Sequence, residues 1–245
     1  MRFKHLFLGV AFGAAAILGA SQSLAQSTLQ ATYYTIPETG DPDFGNVPCC
    51  NFVFTNNANG EVKGGALGVD GLPLYNAGYG GPALSDVNGN GELTWWSGKS
   101  TGGGSLNLPI GKNLFTPNGT GTDDNEGFQT ATFTGTLNAP GTEKVTFNLS
   151  ADDDAFLAVD GNIVLQDGGV HPLDPTGVSV TELLSGGSHS VEIFYADRHT
   201  VAAALDFSES ITAVPEPASW AMMLVGFGGL GVAMRSRRKQ AAATA

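Results

Sequence analysis

Positive charge is scarce in this chain. Eleven Lys and Arg face 23 Asp and Glu over 245 residues, a formal net charge of −12 at pH 7. Between the two ends the imbalance is steeper: residues 26–214 hold five Lys and Arg against 22 Asp and Glu, a net of −17, because two basic residues precede this stretch and four follow it. A surface of that sign repels nucleic acid and anionic lipid, keeps the protein soluble and draws divalent cations. A nucleic-acid partner is thereby excluded.

Cysteine and histidine are nearly as scarce. Cys49 and Cys50 are the only cysteines and are adjacent, so no CxxC or zinc spacing exists. Neighbouring Cα atoms lie about 3.8 Å apart, below the usual disulfide range. A Cys49–Cys50 disulfide and a pair of reduced or intermolecularly oxidised thiols both stand open. Three histidines remain once His5 is set aside, and neither a nucleophile elbow nor a phosphate-binding loop is present. The scattered acids show no spacing that identifies a glycosidase pair. The chain reads as non-catalytic.

The two ends are apolar where the middle is acidic. Arg2 and Lys4 precede an apolar run from Leu6 to Leu18, and Ser23-Leu24-Ala25 offers small residues for cleavage, so residues 1–25 read as a signal peptide. At the other end, 218–234 is uncharged and is followed by Arg235, Arg237, Arg238 and Lys239. This pattern predicts a single transmembrane helix over 218–234 and a basic cytoplasmic tail over 235–245. Residues 211–217 form a linker containing Pro215, Glu216 and Pro217, which leaves 26–210 for one folded domain.

Within that domain no amphipathic helical period is found. From Asn57 to Gly121 the chain is crowded with Gly, Asn, Ser and Pro, which predicts long loops. Beyond Gly127, Ala131–Leu137 and Val145–Ser150 alternate apolar with polar residues, as strands with one buried face do, and Phe147 and Leu149 are expected to point inward. Phe156–Val159 and Ile163–Leu165 flank Asp160-Gly161-Asn162, a tight hairpin turn. Ser188–Tyr195 and Ala202–Phe207 close the set. Short strands with turns between them predict an all-β fold, an antiparallel sandwich with long Gly-rich loops or a barrel.

Four motifs sharpen this. Leu149 to Gly161, with Asp152-Asp153-Asp154 at its centre, resembles the signature of protective-antigen-type β-sandwich domains, and is closest to their fibro-slime subgroup. Asp41-Pro42-Asp43-Phe44, Gly168-Gly169-Val170-His171 and Phe194-Tyr195-Ala196-Asp197-Arg198-His199-Thr200 match that subgroup in order, and Leu29–Tyr34 resembles the first strand of the parent family. The sequence departs at Asp197, where the subgroup usually has Glu. The resemblance implies an antiparallel β-sandwich over most of residues 29–207. In sugar-binding members it implies a cis peptide between the aspartates that align with Asp152 and Asp153, together with a Ca²⁺ ion.

The residues alone leave that site open. Hard Ca²⁺ takes several oxygen ligands, yet successive side chains of a regular strand point to opposite faces, so Asp152 and Asp153 can share an ion only where the backbone is irregular. The alternative is a solvated turn. A rival calcium loop, Asp86-Val87-Asn88-Gly89-Asn90-Gly91-Glu92, has the first half of an EF-hand pattern but Ser97 in place of the bidentate Glu. Trp96, His171 and Arg198 are candidates for ligand binding. Each has a structural alternative: core packing for Trp96, turn fixing for His171, and a buried ion pair for Arg198, the only arginine of the domain.

The C-terminal Pro215-Glu216-Pro217, the apolar span and the basic cluster together resemble the PEP-CTERM sorting signal of Gram-negative exopolysaccharide producers. The resemblance implies recognition by an exosortase, transient anchoring in the inner membrane through the C-terminal helix, and deployment at the cell surface or in an extracellular matrix. An ordinary C-terminal anchor is the alternative. Taken together, the expected function is calcium-dependent adhesion to exopolysaccharide or another glycan. A structural matrix protein without an active sugar site is the second reading.

Overall fold

The computed structural model describes residues 28–36, 41–45, 47, 54–55, 60–111, 128–199, 203–214 and 217–242. The elements are β1 (Thr28–Ile36), β2 (Phe54–Thr55), β3 (Gly65–Ala66), β4 (Gly102–Asn107), β5 (Phe128–Ala139), β6 (Glu143–Asp152), β7 (Asp154–Val159), β8 (Asn162–Gly168), β9 (Val178–Leu184), β10 (Gly187–Asp197), β11 (Ala204–Ala213) and the helix α1 (Pro217–Ala242). Strands pair antiparallel into two sheets. The large one runs β2-β8-β7-β10-β5-β1-β4 with β3 also on β8, and the small one runs β11-β6-β9.

Alternation along the strands explains why the sheets stack. Phe147 and Leu149 of β6 and Leu205 and Phe207 of β11 face Phe133 and Leu137 of β5, Val191, Ile193 and Tyr195 of β10 and Leu157 of β7 across one apolar layer. Burying each large apolar side chain stabilises the sandwich by roughly 1.5–3 kcal/mol. The β7–β8 turn is as the sequence predicts: Val159 pairs with Asn162, and Asp160 and Gly161 take φ of 49° and 70°.

The large sheet has a second apolar layer on its outer face. Side chains of opposite parity on the same strands, Phe156 and Ala158 of β7, Phe194 and Ala196 of β10 and Ile163 of β8, pack against Phe44, Val62, Leu84, Leu93, Trp95 and Trp96. Every residue of β7 is consequently buried. The stretch expected to form loops, 60–98, is the cover over this layer, built from turns and the isolated bridges Val62↔Tyr75, Leu74↔Glu92 and Val87↔Leu93. Gln166 of β8 reaches into it, taking the Val62 N–H at 3.2 Å and donating to the Val62 carbonyl at 3.0 Å. A Cβ at Gly60 would lie 2.7 Å from Gln166 Oε1, so a larger residue there would have to displace the amide that Gln166 holds against Val62.

One expectation is corrected. Among the described residues no helix is long and apolar enough to cross a membrane, so the transmembrane helix over 218–234, and membrane anchoring through it, are withdrawn. Glycines 226, 228, 229 and 231 dilute the apolar stretch of α1, and Arg235, Arg237, Arg238 and Lys239 follow within the same helix. β11 extends to Ala213, past the expected domain end at 210. The signal peptide, Cys49 and Cys50, and Pro215 and Glu216 lie outside the described residues.

Candidate metal centre between the two sheets

β6 belongs to the small sheet and β7 to the large one, and the chain crosses between them in a single residue, Asp153. This is the irregularity that neighbouring carboxylates need to reach one point: β6 ends at Asp152, the Asp152–Asp153 peptide is cis, and β7 begins at Asp154. Oxygens of Asp152, Asp153 and Asp197 come within 4.8 Å of one another, and all three residues are buried. Asp197 closes β10, where Ala196 pairs with Asp154.

Each part of the crossing is held from several sides. The Asp153 carboxylate accepts the backbone N–H of His171 at 2.9 Å on Oδ1, and those of Arg198 at 2.7 Å and His199 at 2.8 Å on Oδ2. Tyr195 Oη donates to the Asp152 carbonyl at 2.8 Å, and Ala151 N–H donates to Asp167 Oδ2 at 3.1 Å. Asp154 accepts the N–H of Gly169 and lies 3.4 Å from Arg198 Nη1. The Gly168–His171 stretch thus serves as a row of backbone donors for two adjacent carboxylates.

Carboxylates crowd this region. Asp43, Glu61, Asp152, Asp153, Asp154, Asp167 and Asp197 are all buried, and among the described residues only Arg198 and His171 are buried cations beside them. Burial pushes the Asp153 carboxyl up to about 8, and the charges of Asp154 and Asp152 add to it, against the Arg198 and His199 N–H groups. Burial, with the neighbouring Asp154, pushes Glu61 well above the carboxylate range against the charge of Arg198. For His171, burial works against the charged form, but the Asp167 carboxylate, 3.3 Å from Nε2, holds its proton to about 9. The donor set suits a hard divalent cation: carboxylate oxygens only, close together and already desolvated.

The other candidates fall around this centre. Arg198 is buried against Glu61 Oε1 at 2.9 Å and over the Trp95 ring, with its Cζ 5.0 Å from the ring centroid. His171 bonds the Pro172 carbonyl through Nδ1 at 3.0 Å. Trp96 packs edge-on against Trp95, Phe156 and Phe194, and its Nε1–H reaches the Tyr195 carbonyl at 2.8 Å. All three are at most 3% exposed. Asp197 was noticed in the sequence only as a departure from Glu. Its signal as a third ligand is positional, since it follows the apolar Phe194–Ala196 run at the end of a strand that pairs with the Asp154 strand.

The rival loop at Asp86–Glu92 is closed by its own amides. Asn88 Nδ2 bridges Glu92 Oε2 at 2.7 Å and Asp70 Oδ2 at 3.2 Å, while Asn88 Oδ1 accepts the N–H groups of Asn90 and Glu92 at 2.9 and 3.0 Å. Asp70 N–H donates to Glu92 Oε1 at 2.7 Å.

The PA14 domain family matches residues 110–214, and the PEP-CTERM protein-sorting motif matches residues 213–239. The chain carries a PA14 domain followed by a PEP-CTERM sorting motif. No curated protein matches it. Among solved structures, the chain is similar to a PA14 sugar-binding domain from an RTX adhesin, at 19% identity and a TM-score of 0.34, over 77% of this chain and 90% of that one. It is similar to the epithelial adhesin 9 A domain from Candida glabrata in complex with Galβ1-3GlcNAc, at 12% identity and a TM-score of 0.34, over 76% of this chain and 81% of that one. Likeness to the GH31 α-xylosidase from Xanthomonas citri, at 20% identity and a TM-score of 0.35, takes in 50% of this chain but only 13% of the xylosidase's length.

Within the PA14 domain lie three of the four motifs read from the sequence, and the fourth, Asp41–Phe44, meets them at Arg198, whose Nε–H reaches the Asp43 carbonyl at 2.8 Å. The sorting motif marks the protein for exosortase-dependent export to the cell surface or beyond it.

Proposed function

We propose that this exported protein is a non-catalytic adhesive module whose PA14 domain binds carbohydrate through a calcium ion held by Asp152, Asp153 and Asp197. The observation that carries the reading is the meeting of these three buried carboxylates at the crossing between the sheets. Calcium takes about six to eight oxygen ligands, so three aspartates leave coordination positions for the hydroxyls of a saccharide. Asp153 is oriented by three backbone N–H groups, and Asp152 is held through its carbonyl by Tyr195. The sorting motif supports the class of partner, since polysaccharide is what a protein delivered outside the cell meets.

Calorimetry with calcium on the full chain, beside Asp152→Asn with Asp153→Asn, tests the site. The parent is expected to bind and the double variant to lose binding, and equal binding by both sinks the assignment. Retention of the parent on exopolysaccharide, measured with and without EDTA, tests the partner. Retention indifferent to EDTA would make the protein a structural matrix component instead.

A further inference from the structure

We propose that Arg198 is a positioning residue that couples cation binding at Asp152, Asp153 and Asp197 to docking of the glycine-rich cover, residues 60–98, on the outer face of the large sheet. This rests on the reading that the three carboxylates hold a divalent cation.

Arg198 faces two ways. Its backbone belongs to the metal centre: it follows Asp197, its N–H bonds Asp153 Oδ2 at 2.7 Å, and the next N–H, of His199, bonds the same oxygen. Its side chain belongs to the cover. Nη1 meets Glu61 Oε1 at 2.9 Å, Nε meets the Asp43 carbonyl at 2.8 Å, and the guanidinium lies over Trp95. The Arg198 carbonyl also accepts the Gly45 N–H at 3.1 Å.

From these contacts the cover is tied inward. The Asp43 carboxylate takes the Ser85 N–H and hydroxyl, both at 2.8 Å on Oδ1, and on Oδ2 the Asp86 N–H at 2.9 Å and Trp95 Nε1–H at 3.2 Å. The Glu61 carbonyl takes the Asn76 N–H at 2.9 Å. One guanidinium therefore joins residues 43, 61 and 95, which are widely spaced in sequence, to the strand end that carries Asp197.

An ion that fixes Asp153 and Asp197 fixes the backbone of Arg198, and so the place from which its side chain reaches the cover. Coupling of this kind is reciprocal: a well-docked cover favours the ion as much as the ion favours the cover. A bare buried ion pair would stabilise the fold without any such link.

Hydrogen exchange on the full chain, with calcium and with EDTA, reads the coupling directly. Calcium is expected to slow exchange at Lys63, Tyr75 and Leu93, whose N–H groups are bonded within the cover, by on the order of tenfold. Trp95→Phe removes the bond to Asp43 without touching a carboxylate of the centre, and is expected to weaken calcium binding by about 3- to 10-fold. Arg198→Lys keeps the charge but not the fork of donors, and is expected to bind calcium while leaving cover exchange unchanged by it. Calcium binding by the parent with no change in cover exchange overturns the inference alone, as does unaltered affinity in Trp95→Phe. No calcium binding by the parent overturns the functional reading and this inference with it.

Discussion

Two acidic clusters in this molecule are built in opposite ways. At Asp70, Asn88, Asn90 and Glu92, two carboxylates are spaced by asparagine amides that donate to both, so the loop is complete with protein groups alone. At Asp152, Asp153 and Asp197 the carboxylates approach one another, and charge of one sign accumulates in a desolvated place. The difference lies in what stands between the acids. Amide donors make a turn, whereas a change of sheet within one residue makes a centre that favours a cation.

The comparison breaks hardest at Arg198. Arg198→Met leaves Glu61 and Asp154 buried without their cation, and is expected to lower unfolding stability by about 3–5 kcal/mol in urea titration. An effect below about 1 kcal/mol would show that little buried charge depends on Arg198.

Next in size is the response to calcium. At 100 times its Kd, calcium is expected to stabilise the parent by about 2.7 kcal/mol, read as a rise in Tm. Asp152→Asn with Asp153→Asn should abolish that rise. In EDTA the double variant should unfold earlier than the parent, because the single amide oxygen left by Asp153→Asn can serve either the His171 N–H or the Arg198 and His199 N–H groups, not both.

Asn88→Ala should do the reverse in kind. Loss of its bonds to Glu92 and Asp70 is expected to cost about 1–2 kcal/mol of stability, with the calcium response intact. A lost calcium response there would turn the comparison around.

The smallest expected effect is a pH slope away from both clusters. Glu209 lies on the same face of β11 as Phe207 and Ile211, and burial pushes it from its ordinary value of 4.5 up to about 7. A carboxyl raised by folding favours the folded state while protonated, so this contribution fades as pH rises from about 4.5 to 7. Chemical denaturation across that range should show the parent losing stability relative to Glu209→Gln, and parallel curves would contradict it.

Much of the sandwich was legible because its strands alternate. Phe147 and Leu149 are buried as expected, and the Asp160-Gly161 turn takes the backbone the dipeptide suggests. β9 went unread although Val178 and Leu184 are its buried ends, since its middle is polar and half exposed. β4 went unread because Gly102-Gly103-Gly104 carries no side-chain pattern, yet it pairs with β1, where a Cβ on Gly103 would come within 2.6 Å of the Ala31 carbonyl oxygen. In a strand, neighbouring side chains point to opposite faces. Trp95 and Trp96 occupy a turn, and both enter the outer apolar layer. At the crossing Asp152 and Asp153 are visible in the sequence as a pair, but Asp197 joins them only through tertiary contact.

The crossing at Asp153 also acts as a length standard. With a single residue between β6 and β7, adding one more would slip β7 by one position against β10 and exchange the two rows of its side chains. Phe156 would be driven into the layer sized for Leu157, and Leu157 would be left beneath the tryptophans. The one-residue spacing that brings Asp152 and Asp153 together is therefore also the spacing that the shapes of the two apolar layers impose, because one strand must fill both at once.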